Sequence, residues 1–123
     1  MTIQELYAKI GGNYDQAVRV MKKDKLIDKY VRKLTKSDVG DMLAQAGASM
    51  DGTKLFESAH AMKGVCSNLG LDALAKAADE ITEEFRPGNA RALSDDAVKE
   101  KVEAVLARYR ETVRTIEEYE AQS

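Results

Sequence analysis

Apolar residues recur at intervals of three and four along the whole chain, and no β-branched run alternates in the way a half-buried strand would. The pattern predicts seven helices. A capping box, Thr2 to Glu5, opens the first, and Gly11-Gly12 stops it, with Ile3, Leu6, Tyr7 and Ile10 as its apolar stripe. Asn13 caps a short second helix carrying Ala17, Val18 and Met21. The third spans about Asp24 to Thr35, with Leu26, Ile27, Tyr30, Val31 and Leu34 expected inward. Ser37 is the expected cap of the fourth, with Val39, Met42, Leu43 and Ala46 inward and Gly47 as its stop.

The next two helices carry the clearest pattern. Leu55, Ala59, Met62, Cys66 and Leu69 follow Asp51-Gly52, and Leu71, Leu74, Ala78, Ile81 and Phe85 follow Gly70, with Asp72 as candidate cap. Alternation of three and four is the seam of helices packed at a shallow angle. The short connection at Gly70 makes the two antiparallel neighbours. Arg86-Pro87-Gly88 ends the second of them, and an exposed loop runs to Leu93. Ser94 caps a long last helix with the seam Val98, Val102, Val105, Tyr109, Thr112, Ile116 and Tyr119, and Glu117 to Ser123 are expected to fray. The predicted fold is all-α: an antiparallel up-down four-helix bundle with short N-terminal helices packed across it. Residues 1–123 are read as one domain with a bundle core at about 23–120.

Composition narrows the function classes. A hydrophobic fraction of 44% over 123 residues supports a packed core without staples. One cysteine excludes an internal disulfide and fits a reducing compartment. The first residues do not read as a signal peptide, and no apolar run is long enough to span a bilayer, so a cytoplasmic location with no membrane partner is expected. The net charge of −2 divides into an excess of three basic side chains over residues 1–50 and of five acidic ones over residues 51–123. The basic cluster Lys22–Lys36 reads as a solvated helix face rather than a nucleic-acid surface, because the domain as a whole is acidic.

His60 is the chain's single histidine. At about 100° per residue it lies roughly 140° from the core direction set by Leu55, Ala59, Met62, Cys66 and Leu69. Lys63, Gly64 and Ser67 share its side, with Phe56 close by. A glycine on an exposed helix face costs about 1 kcal/mol relative to alanine, so it needs another reason. A side chain at 64 would lean back over residue 60, and its absence opens the imidazole to a large partner. Lys63, three residues on, brings a cation suited to a phosphoryl group. Other chemistries fare worse. A zinc site needs three or four ligands, and there is no second histidine. Cys66 lies on the seam and reads as a small core residue. No oxyanion loop, Walker loop or dinucleotide fingerprint appears.

The stretch His60-x-x-Lys63-Gly64-x-x-x-x-Leu69-Gly70 resembles the signature of histidine-containing phosphotransfer domains, and the helix order around it is similar over most of the chain. The resemblance implies that His60 is the phosphoacceptor, that Lys63 stabilises charge on the phosphoryl group, and that Gly64 gives the partner access. Leu69 and Gly70 would be structural. Many members place a polar residue on the adjacent helix near the ring, and here that position falls at Thr82, with Arg86 a turn further on. Phe56, Ser67, Thr82 and Arg86 are the candidate docking residues, joined by Met42 or Val39 from the preceding helix.

The resemblance further implies a monomeric phosphocarrier in two-component signalling, with no kinase or phosphatase activity of its own. His60 would take a phosphoryl group from a receiver-domain phospho-aspartate and pass it to another receiver. Response-regulator receivers and a hybrid histidine kinase are the expected partners, and no nucleic acid. No cofactor or metal is expected on this chain, the Mg²⁺ being the receiver's. Two alternatives stand beside this reading: a helical adaptor that binds or blocks a receiver or kinase with His60 unused, and a substrate of a kinase acting in trans.

Overall fold

The computed structural model describes residues 1–122. Among them are seven α-helices and no strand: α1 (Ile3–Ile10), α2 (Tyr14–Met21), α3 (Asp24–Leu34), α4 (Val39–Ser49), α5 (Gly52–Asn68), α6 (Asp72–Phe85) and α7 (Asp95–Ala121). Side-chain oxygens cap four of them, three where the sequence predicts and Asp51 in addition. Thr2 accepts from the Glu5 N–H within a full capping box, Asn13 from Gln16, Asp51 from Lys54 and Ser94 from Ala97.

The helices α4 to α7 pack in a ring, α4 on α5, α5 on α6, α6 on α7, and α7 back on α4. Leu43 of α4, Leu55 and Met62 of α5, Ile81 of α6 and Ile116 of α7 belong to the core that fills its interior, with almost no exposed surface. The short α1 packs on α7, α2 on α5 and α3, and α3 on α7, so the N-terminal helices lie outside the ring. Every predicted seam residue of α5 and α7 is buried.

The turn between α5 and α6 joins these two layers. Gly70 has φ +70°, and a Cβ there would stand 2.2 Å from the Asn13 carbonyl oxygen, so only glycine fits. The Asn13 N–H donates to the Gly70 carbonyl at 2.7 Å, and the Tyr7 hydroxyl donates to the Leu69 carbonyl at the same distance. The end of the His60 helix is thereby tied to α1 and to the start of α2.

Several predicted details are overturned. Leu26, Tyr30 and Met42 were expected inward but are 37%, 41% and 45% exposed, because Ile27, Val31, Leu34, Val39, Leu43 and Ala46 already fill the buried stripes of their helices. Gly47 does not stop α4. It lies inside the helix, where a Cβ would come within 2.9 Å of Val102, so it serves close packing on α7, and Met50 ends the helix in the left-handed conformation. The N-cap position of α4 is Asp38, with the Ser37 hydroxyl accepting from Val39 N–H at 3.3 Å. Leu71 rather than Asp72 holds the N-cap position of α6. Phe85, at the end of that seam, is half-buried.

The C-terminal stretch is not frayed. Helix α7 continues through Ala121, Tyr119 is buried, and its hydroxyl donates to Asp28 of α3 at 2.5 Å. Ser123, the last residue of the stretch expected to fray, lies outside the described residues.

One carboxylate gathers the second half of the loop from Arg86 to Ser94. Glu84 is buried, and it accepts from the backbone N–H groups of Leu93 (2.8 Å) and Ala92 (3.1 Å) and from Arg91 (3.3 Å). The Leu93 N–H, more than the Ala92 N–H or Arg91, holds its carboxyl below the usual carboxylate range. A depressed carboxyl pKa stabilises the fold above the unfolded-state value and ceases to do so as pH falls through the folded-state value. Glu84→Gln should therefore cost about 1–3 kcal/mol at pH 7. Urea unfolding at pH 7 and pH 3 checks this, and the gap between variant and wild type should shrink at the lower pH.

Candidate functional site

The rotation of α5 sets the site. Leu55, Ala59, Met62 and Cys66 have no exposed surface, which turns His60 and Gly64 fully outward. Lys63, Ser67 and Phe56 are half-buried along the border with α6. Burial pushes the Cys66 thiol up to about 12, so it is a protonated core side chain and no nucleophile.

The His60 imidazole lies parallel to the Phe56 ring, with centroids 5.7 Å apart and planes within 4°. The Arg86 guanidinium stands 5.3 Å from the Phe56 centroid and is held by Glu83, whose Oε2 accepts from Arg86 Nε at 2.6 Å. Lys63 Nζ pairs with Asp79 Oδ1 at 3.0 Å. A Cβ placed on Gly64 would meet nothing within 4 Å, so no contact inside the fold requires glycine there.

The structure brings His60, Lys63, Gly64, Ser67, Phe56 and Arg86 to one side of the bundle and leaves two predicted residues out. Thr82 is fully buried, and its hydroxyl donates to the Ala78 carbonyl at 2.9 Å, so it neither faces the ring nor offers a docking contact. Thr82 follows Ile81 on the core side of α6. Asp79 and Arg86 are the side chains that reach α5 at the surface, at Lys63 and Phe56, and Glu83 between them holds Arg86. Val39 is also buried, which removes it as a docking residue, whereas Met42 is available.

Two features of the site have no counterpart in the sequence reading. One is Asp79 as the partner of Lys63. These residues lie at nearly equal distances on either side of the Gly70 turn, and antiparallel register about that turn is the signal that pairs them. The other is a groove of about 520 Å³ beside the outward face of α5, lined by Val20 and Met21 of α2, Tyr30 and Lys33 of α3, and Val65 and Asn68 of α5. Val20, Tyr30 and Val65 are each more than a third exposed, and Lys29 and Lys33 both approach the Tyr30 ring. Among the described residues no three histidine, cysteine or acidic side chains converge as a metal site.

A histidine turned outward, flanked by lysine and glycine on one helix of a four-helix ring, is matched by a family model. The Hpt domain model covers residues 31–116, well over half of the chain. The chain belongs to the Hpt domain family. No curated protein and no solved structure gave a match. Hpt domains carry out histidine phosphotransfer in phosphorelay signalling as phosphocarriers rather than as enzymes, and they interact with receiver domains and histidine kinases. No described helix of this Hpt domain is long and apolar enough to cross a membrane.

Because Gly64 is helical and its missing Cβ has open space, Gly64→Ala should raise stability by about 0.5–1 kcal/mol through helix propensity alone. Chemical unfolding of the two proteins measures it, and a loss of stability would show that the fold itself needs the glycine.

Proposed function

We propose that this Hpt domain is a phosphorelay carrier in which His60 accepts a phosphoryl group from a receiver-domain phospho-aspartate and returns it to another receiver aspartate. The carrying observation is Gly64. It stands one turn from an outward His60, no contact within the fold explains it, and a clear approach for a partner does. In the transfer, a lone pair on an imidazole nitrogen forms the N–P bond as the acyl O–P bond of the donor breaks. The leaving electron pair stays on the donor's carboxylate. Such a transition state needs positioning and charge stabilisation more than covalent help, so an exposed imidazole with a nearby cation suffices on this side of the complex. Mg²⁺ and the reacting aspartate belong to the receiver.

Phe56 supports this reading by restraining the imidazole plane through its parallel contact, a role that falls to it because Thr82 is turned inward. Lys63 is the cation placed to stabilise the transferred group. For docking, the groove beside α5 offers an apolar floor of Val20, Tyr30 and Val65, the last on the helix that carries His60, with Met42, Phe56, Ser67 and Arg86 as further contacts. We read the protein as acting in the cytoplasm and as a monomer, with a hybrid kinase and response regulators as partners. A helical adaptor with His60 unused has no use for an open Gly64.

Incubation with a phosphorylated receiver should label the wild type with an acid-labile, base-stable phosphate and leave His60→Gln unlabelled. Gly64→Gln should slow transfer about tenfold or more with helicity retained, since about 1.4 kcal/mol of lost access in the transition state is a factor of ten. Absence of transfer from every receiver tried favours the adaptor. Docking has its own check: Val65→Asp should weaken receiver binding at least about tenfold by placing a charge in the apolar floor, read by titration calorimetry.

A further inference from the structure

The two cations on the His60 side of the bundle are already engaged by carboxylates of α6, Lys63 by Asp79 at 3.0 Å and Arg86 by Glu83 at 2.6 Å. The two pairs differ in kind. Glu83 and Arg86 are neighbours on the same helix, whereas Asp79 reaches across to α5 and takes the cation nearest the reacting ring along its own helix. Lys63 and Asp79 side chains are each 39% exposed, so the pair is hydrated and readily opened.

We propose that Asp79 is a positioning residue that limits how firmly His60 holds a phosphoryl group, by competing with it for Lys63. This rests on the phosphocarrier reading of His60. Before transfer, the ammonium sits on Asp79. After the N–P bond has formed, the imidazole carries a group bearing about two negative charges, and the proton on the other ring nitrogen has stayed with the ring. Lys63 then faces two anions, the phosphoryl oxygens and the Asp79 carboxylate. Every fraction of its charge left on Asp79 is withheld from phospho-His60. The residual Asp79 charge also repels the phosphoryl group across the helix interface. Both effects lower the stability of phospho-His60 relative to the receiver's phospho-aspartate, and both favour passing the group on. A carrier needs this balance, because a histidine that bound phosphate too tightly would be a sink.

The test uses the full chain and a receiver domain phosphorylated with acetyl phosphate, with phosphoramidate as a receiver-independent phosphodonor for His60. At equilibrium with the receiver, Asp79→Asn should raise the ratio of phospho-His60 to phospho-receiver about threefold or more, the scale of one exposed ion pair. Asp79→Glu should stay near wild type. In a Lys63→Met background the Asp79→Asn effect should fall by at least half, which a purely structural role for Asp79 would not produce. Circular dichroism confirms that the variants are folded. An unchanged equilibrium in Asp79→Asn, or an effect of equal size without Lys63, overturns the proposal while the carrier reading stands. A wild-type protein that accepts phosphate at His60 from neither phosphoramidate nor any receiver overturns both.

Discussion

Leu55, Ala59, Met62 and Cys66 are pressed into the bundle with none of their surface exposed, and their burial sets the rotation of α5 about its own axis. Everything at the site follows from that rotation. Fully burying a side chain such as Leu55 or Met62 is worth about 1.5–3 kcal/mol, whereas an exposed pair such as Lys63 with Asp79 contributes about 0.2–1 kcal/mol. The seam therefore decides where α5 points, and the surface contacts adjust to it. His60 faces solvent because a helix with one face committed to the core has no other place for residue 60.

The same seam explains the division of labour between the two faces of α6. Leu74, Ala78 and Ile81 pack inward, and Thr82 goes with them, spending its hydroxyl on the Ala78 carbonyl. Asp79 and Arg86 meet the α5 side chains Lys63 and Phe56 at the outer edge, with Glu83 holding Arg86. The ring of His60 is accordingly restrained by an aromatic neighbour on its own helix, Phe56, instead of a hydrogen bond from α6. Antiparallel register puts residue 82 opposite residue 60, but register fixes only height along the helix, and the face is set by the core.

The N-terminal helices add a surface that the bundle alone lacks. Tyr7 and Asn13 fasten α1 and α2 to the Leu69–Gly70 turn, and α3 is fastened to α7 through Asp28 and Tyr119. Docked in this way, α2 and α3 stand beside the His60 helix and leave Val20 and Tyr30 next to Val65. Leu26 and Tyr30 looked like core residues in the pattern. A short helix on the outside of a ring buries a narrower stripe than its apolar content suggests, and the surplus becomes exposed apolar surface.

The sequence alone determined the helix order, three of the caps, the buried seams of α5 and α7, and the outward position of His60 and Gly64 with Lys63 on the same side. These depend on local hydrogen bonding and on helical periodicity, which a linear pattern carries directly. It also carried the family signature. Tertiary structure decided what periodicity does not encode: that Gly47 serves close packing on Val102, that Tyr119 keeps the end of α7 anchored to Asp28, that Thr82 is lost to the core, that Lys63 meets Asp79, and that α2, α3 and α5 enclose a groove. Each of these depends on which helix lies beside which face. That choice belongs to the packing of the whole chain, where contacts distant in sequence compete for the same buried surface.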